Sequence, residues 1–130
     1  MKKVTVKPRK EASEQIEFVA WLNFNYPHVF HFSIPNEGKS RSNALESIFM
    51  KKLGLRKGVP DYFVALGCAA VFEGVSTRCN GLFIEFKRKG EKSRPDQLRC
   101  QDELRASGYY VITDAQCEQA KAGFLQYISA

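Results

Sequence analysis

The sequence predicts a single α/β domain built on a mixed β-sheet with helices on its faces. Three observations carry this. Amphipathic helices and short β-branched or aromatic runs alternate in the order helix, strand, helix, strand, strand, helix, strand, helix. The run YYVIT (109–113) is continuously apolar and follows a helix, the pattern of a strand covered on both faces. The 130 residues, 44% of them hydrophobic, fit one core and leave no room for a second.

Each element has its own signals. Residues 13–26 (SEQIEFVAWLNFNY) read as an amphipathic helix with Ile16, Val19, Ala20 and Asn23 along one face, stopped at Tyr26-Pro27. Residues 29–34 (VFHFSI) read as a strand, broken by Pro35-Asn36-Glu37-Gly38. Residues 42–53 suit a helix capped by Ser42 or Asn43, with Gly54 just beyond it. Gly58-Val59-Pro60 turns into Asp61 and a short apolar strand, 62–66. The segment 67–80 is either a further strand or an irregular excursion, longer than a tight hairpin needs. Gly81 opens the strand 82–87. A helix over 94–107 follows, with Ser93 as cap, Asp96 three residues later and Gly108 as terminator. After the strand 109–113, Asp114 caps a last helix running to about Tyr127.

Charge and cysteines narrow the function classes. Lys and Arg number 20 against 14 Asp and Glu, a net charge of +6. Residues 1–10 hold Lys2, Lys3, Lys7, Arg9 and Lys10 and no acid, which leaves 15 bases against 14 acids in the remainder. Residues 1–11 therefore form a basic arm on a domain spanning 12–130. Such an arm either follows a nucleic-acid backbone or merely solubilises. Two further basic clusters flank the acids described below: Lys39, Arg41, Lys51, Lys52, Arg56 and Lys57, and then Lys87, Arg88, Lys89, Lys92 and Arg94. They point to a polyanionic partner. No apolar run approaches the roughly 20 residues that span a bilayer, and the basic N-terminus lacks a signal-peptide core. A soluble, cytoplasmic protein with no membrane partner is expected. Cys68, Cys79, Cys100 and Cys117 form no CxxC pair, so reduced, partly buried thiols are expected in place of structural zinc.

The chemistry concentrates in Gly81-Leu82-Phe83-Ile84-Glu85-Phe86-Lys87. Strand alternation puts Leu82, Ile84 and Phe86 on one face and Phe83, Glu85 and Lys87 on the other. Phe83 marks the second face as covered too, so a carboxylate and an ammonium stand about 6.5–7 Å apart on semi-buried sheet. A strand opening at Asp61 and paired with this one would bring a second carboxylate alongside. Two close carboxylates call for a cation between them, and Mg²⁺ (or Mn²⁺) suits their hard oxygens. A metal there lowers the pKa of bound water and offsets charge on a phosphoryl transition state, while Lys87 orients or deprotonates the water. Taken singly, a Glu-x-Lys on a strand is a solvated pair and an Asp after Pro is a turn residue. Their combination at strand ends, among basic clusters, favours a phosphodiesterase site. Gln97 shares a helix face with Cys100, Gln101 and Leu104, and is either a satisfied core amide or a group held for the active-site lysine or a phosphate.

The string Gly58-Val59-Pro60-Asp61, followed by Ile84-Glu85-Phe86-Lys87, resembles the PD-(D/E)xK nuclease signature and, more narrowly, the VRR-NUC (virus-type replication-repair nuclease) family. Glu14 in Glu14-Gln15-Ile16-Glu17 (one residue off the family spacing), the Asn36-x-Gly38 turn and Gln97 after the Glu-x-Lys strand extend the likeness over about 12–125. The resemblance implies a restriction-endonuclease-like mixed β-sheet flanked by helices. It implies Asp61, Glu85 and the Phe86 backbone carbonyl as metal ligands, Lys87 positioning the water, and Glu14 assisting through water or a second metal. Glu14 could equally be an acid well placed in a helix dipole. Stand-alone family members resemble Holliday-junction resolvases, which implies a homodimeric, structure-selective endodeoxyribonuclease on branched DNA, in the host cytoplasm if the source is viral. Residues 44–53 or 67–80 are candidate dimer surfaces. A restriction-type enzyme, an exonuclease and a non-catalytic DNA-binding module are the competing readings. Lys39, Arg41, Lys51, Lys52, Lys57, Arg88, Lys89, Lys92 and Arg94 are the expected nucleic-acid contacts.

Overall fold

A computed structural model describes residues 10–35, 44–72 and 75–129. Its elements are α1 (Glu11–Asn25), β1 (His31–Ser33), α2 (Ala44–Lys52), β2 (Tyr62–Val64), β3 (Cys68–Phe72), β4 (Val75–Cys79), β5 (Leu82–Phe86), α3 (Pro95–Ala106), β6 (Tyr110–Ala115) and α4 (Cys117–Ile128). A four-stranded sheet runs in the order β1-β2-β5-β6, and β3 and β4 form a separate antiparallel pair. The β1–β2 and β2–β5 pairs are antiparallel, whereas β5 and β6 run parallel. A parallel pair needs a crossover, and α3 supplies it. The mixed α/β sheet expected from the sequence is thus the one observed. The basic residues Lys2, Lys3, Lys7 and Arg9 of the arm, the Asn36-x-Gly38 turn, Lys39, Arg41 and the cap candidates Ser42 and Asn43 lie outside the described residues.

The sheet has two unlike faces. On one, Tyr62, Val64, Leu82, Ile84 and Phe86 pack under α1 and α4 with Phe18, Leu22, Ala120, Phe124 and Tyr127. Phe18 is fully buried between Phe86 (ring centroids 5.7 Å), Trp21 (5.9 Å) and Tyr62 (6.3 Å). On the other lie Phe63, Phe83, Glu85 and Lys87, on the side of α3, whose Gln97 reaches Glu85. The alternation expected along β5 is therefore present, and both of its faces are covered.

Four local expectations are corrected. The buried face of α1 carries Glu14, Phe18 and Leu22 at i, i+4 and i+8. The anticipated stripe of Ile16, Val19, Ala20 and Asn23 is not that face: Ile16 is 68% exposed, and Asn23 turns outward, its Oδ1 accepting from His31 Nε2 at 2.8 Å. Aromatic bulk decided the face, because Phe18 fills the space over Phe86. Second, α1 begins at Glu11 with Lys10 as its N-cap, two residues earlier than expected. Third, Asp114 does not cap the last helix. It sits inside β6 with φ +54°, where the register against β5 slips from Ile84↔Ile112 to Phe86↔Ala115, and Gln116 is the N-cap of α4. Fourth, Arg94 and not Ser93 is the N-cap of α3, because Ser93 is bound to Asp114: its N–H donates at 2.8 Å and its hydroxyl at 2.6 Å to Asp114 Oδ1.

The segment 67–80 resolves into the β3–β4 hairpin, with Cys68 opposite Cys79. Its base is tied to α4: the Tyr127 hydroxyl donates to the Leu66 carbonyl at 2.5 Å, and Cys68 Sγ donates to the Tyr127 carbonyl at 2.6 Å. The excursion leaves the β2–β5 register intact, with Tyr62↔Ile84, Phe63↔Phe83 and Val64↔Leu82. All four cysteines are free thiols, three of them buried. No helix among the described residues is long and apolar enough to cross a membrane.

Phe18→Ala should lower the unfolding free energy by about 3–5 kcal/mol, seen as a lower denaturant midpoint at unchanged slope. A loss below about 1 kcal/mol would mean that α1 is not packed on β5 as described.

Candidate active site

The Gly58-Val59-Pro60-Asp61 turn is held against the first turn of α3. Gly58 has φ +91°, and a Cβ there would stand 2.8 Å from the Asp96 carbonyl oxygen. Only glycine accepts both the left-handed conformation and that approach. Cys100 Sγ donates to the Lys57 carbonyl at 3.5 Å and ties the same turn to α3. Pro60 is buried, and the chain enters β2 with Asp61 only 4% exposed.

Asp61 is fixed at both ends of its residue. Its carbonyl accepts from the Ile34 N–H at 2.7 Å, and its Oδ2 accepts from the Phe86 N–H at 3.0 Å. Extending the β2–β5 register one residue past Tyr62↔Ile84 sets Asp61 across from Glu85. The two expected carboxylates therefore meet on one face of the sheet. Lys87 stands beside them, its Nζ 3.6 Å from Glu85 Oε1, with both side chains almost wholly buried.

Gln97 completes the arrangement from α3. Its Nε2 donates to Glu85 Oε1 at 3.0 Å, and its Oε1 accepts the Arg94 N–H at 2.8 Å. The second bond satisfies a donor at the helix start and fixes which way the amide points. Beneath it a polar network pins α3 to β6. Gln101 Nε2 donates to Ser93 Oγ at 3.1 Å, and Thr113 Oγ1 donates to Gln101 Oε1 at 2.6 Å. Gln101 is fully buried and Asp114 lies at the slip in register, so this network and the bulge hold the site's upper wall.

Glu85 is the anomaly. It has no solvent exposure, and its Oε2 is the one buried side-chain polar atom without a hydrogen-bond partner among the described residues. Burial pushes its carboxyl up to about 8, the neighbouring Asp61 charge adds to this, and Lys87 opposes it. A buried oxygen with no donor is costly to keep. A third acid explains what it awaits: carboxylate oxygens of Glu11, Asp61 and Glu85 all lie within 4.8 Å of one another. Three clustered carboxylates, one with an orphaned oxygen, fit a hard divalent cation such as Mg²⁺ or Mn²⁺.

Glu11 was not among the residues expected here. With the helix read as starting at 13, it fell in the basic arm. The usable signal was its spacing, three residues before Glu14 at a helix N-terminus. Glu14 itself does not enter the three-carboxylate group. It is 7% exposed, and its Oε1 accepts the Cys117 N–H at 3.1 Å, at the first residue of α4. A carboxylate accepting there satisfies an orphan donor and complements the helix dipole.

Of the expected nucleic-acid contacts, Lys51, Lys52, Lys57, Lys89, Lys92 and Arg94 are exposed and Arg88 is half-buried. Arg88 pairs with Glu91 at 3.3 Å and Arg94 with Asp96 at 3.2 Å. Arg56 pairs with Glu103. These surface pairs leave the guanidinium groups in water, where they contribute little to stability.

No family model matches the chain, and no curated protein is significantly similar to it. Among solved structures it is similar to one described as a VRR_NUC domain protein, with a TM-score of 0.71 and 20% sequence identity over 95% of this chain and 91% of the other. At that identity the likeness establishes the fold.

Two outcomes follow from this geometry. Because the folded carboxyl of Glu85 is raised from 4.5 to about 8, its contribution to stability is full below the first value and lost as pH rises through the second. Chelated protein should melt at progressively lower temperature across that window, Mg²⁺ should reverse the loss, and Glu85→Gln should flatten both responses. A metal response that survives Glu85→Gln would remove this residue from the site. Gly58→Ala should cost about 1–3 kcal/mol of stability and weaken metal binding together. Unchanged metal affinity in that variant would show that the turn does not position Asp61.

Proposed function

We propose that the chain is a member of the VRR-NUC family and a Mg²⁺- or Mn²⁺-dependent endodeoxyribonuclease, acting on branched DNA in the manner of a Holliday-junction resolvase. The observation that carries the reading is the orphaned, buried Glu85 Oε2 beside Asp61, Glu11 and Lys87. The fold shared with a VRR_NUC domain protein supports it.

In this reading Asp61, Glu85 and the Phe86 carbonyl would hold the metal, and Glu11 would take the assisting role that the resemblance implied for Glu14. The bound ion would polarise the scissile phosphate and lower the pKa of its water. The chain's own residues do the rest. Lys87, held by Glu85, positions a water for attack. Gln97 keeps Glu85 in one rotamer and leaves Oε2 open. The Phe86 N–H fixes Asp61 through its Oδ2. Lys51, Lys52, Lys57, Arg88, Lys89, Lys92 and Arg94, with Lys39, Arg41 and the N-terminal arm, contact phosphates.

A two-fold dimer suits a two-fold junction, since it offers two active sites related by the same symmetry. The surface proposed for it is α2. That helix buries none of its own residues and leaves Leu45, Ile48 and Phe49 exposed, with Leu53 just beyond it.

A cleavage assay with a four-way junction, a linear duplex and a single strand, with and without chelator, tests the proposal. The junction should be cut in Mg²⁺ and left intact in chelator. Asp61→Ala and Lys87→Met should each slow single-turnover cleavage by on the order of 10²-fold or more. Equal cutting of linear duplex, or processive release from ends, would move the assignment to a restriction-type or exonucleolytic enzyme. Salt-sensitive binding with no cleavage would make the protein a DNA-binding module.

A further inference from the structure

The side-chain row next to the acidic one is aromatic. Asp61 and Glu85 face each other, and two residues back on the same strands Phe63 faces Phe83. Phe32, opposite Phe63, continues the row onto the edge strand β1. Phe30 and Tyr109 extend the surface one residue pair further. The rings form one unbroken chain of contacts: Phe30–Phe32 at 5.8 Å, Phe32–Phe63 at 5.5 Å, Phe63–Phe83 at 4.6 Å and Phe83–Tyr109 at 5.3 Å between centroids. Strand geometry puts this row about 6.5–7 Å from the carboxylates.

None of the five rings is fully buried, and Phe30 and Phe32 are 69% and 43% exposed. The helix on this side, α3, packs on β6, while Phe30 and Phe32 at the β1 edge stay exposed. Gly81 keeps the surface low. A Cβ there would come within 2.6 Å of the Phe63 ring, so the missing side chain lets that ring lie over β5. Exposed aromatic rings continuous with half-buried ones beside a candidate site suit a binding surface.

We propose that this aromatic floor stacks unpaired nucleobases of the DNA strand whose backbone enters the acidic site. The inference rests on the nuclease reading above and names its substrate class as DNA with unpaired nucleotides at the cut. Three features favour bases over a protein partner. All five side chains are aromatic, and base stacking requires a π-face and tolerates any sequence. The exposed apolar residues of α2, by contrast, are mainly aliphatic: Leu45 and Ile48 beside Phe49. The floor is continuous with the row holding the proposed phosphate site, and the chain's net charge of +6 suits a polyanion. Bases inside a duplex already stack on each other, so only unpaired ones have faces to offer.

The test uses wild-type protein in chelator, so that no strand is cut. The probes are a single-stranded oligonucleotide carrying 2-aminopurine, the matching blunt duplex and a four-way junction. Wild type should quench the fluorescent base. Phe30→Leu with Phe32→Leu, which keeps apolar area and removes the rings, should weaken single-strand binding about 10-fold or more while leaving duplex binding and melting temperature unchanged. Phe32→Trp should restore it. Single-strand affinity unchanged in the leucine variant, or no quenching by wild type, would overturn the inference. So would a changed oligomeric state with DNA binding intact, which would mark the floor as a protein contact. Failure of wild type to bind any DNA would overturn both this inference and the nuclease reading, whereas duplex binding alone would leave the latter standing.

Discussion

A carboxylate with no solvent exposure and one unpartnered oxygen is the constraint around which this fold is organised. Glu85 cannot be buried cheaply as an anion, and two more acids, Glu11 and Asp61, converge on it. Lys87 and Gln97 offset part of the cost by engaging Oε1, and leave Oε2 without a donor. A site satisfied by its own side chains would have no vacancy to offer a cation. This one is satisfied on one side only, a polarity that a divalent ion removes.

The scaffold accepts several local irregularities to hold that arrangement. The turn before β2 needs a left-handed glycine pressed on α3, and β6 slips register at a left-handed Asp114. Both irregularities act on the same helix. One presses on its first turn and the other receives Ser93, one residue before its cap. The helix that carries Gln97 is thus located by contacts to β2's approach and to β6, and the amide itself by Glu85 on β5 and the Arg94 N–H. Positioning a group to within a fraction of an ångström requires this kind of over-determination.

Much of this was legible in the sequence. The β5 alternation and the inward face of α3 follow from period-2 and period-3.6 patterns, whereas the juxtaposition of Asp61 and Glu85 depended on a strand pairing that the sequence left conditional. The resemblance pointed to an acid on the first helix, but to Glu14, and the acid beside Asp61 and Glu85 is Glu11. What escaped had physical causes. The buried side of α1 is set by aromatic packing against Phe86, a tertiary contact that a one-helix pattern does not contain. The start of α1 escaped because its cap, Lys10, makes no side-chain capping bond and carries no cap signal, and so Glu11 was lost from the site. Asp114 and Ser93 both have cap-forming side chains, but each satisfied the other across the chain instead of its own helix. The hairpin at 67–80 was ambiguous because no strong two-residue turn signal joins its strands.

The described residues contain a second group able to hold an ion, Glu17, Cys117 and Glu118, and two of its three members are exposed. That makes the location of the metal the decisive fact. The most direct measurement is an anomalous-scattering map from crystals soaked in Mn²⁺. A peak bounded by carboxylate oxygens of Asp61 and Glu85, with Glu11 adjacent, is the expected result. Manganese found only at Glu17, Cys117 and Glu118, or an empty map between Asp61 and Glu85 at saturating metal, would contradict it.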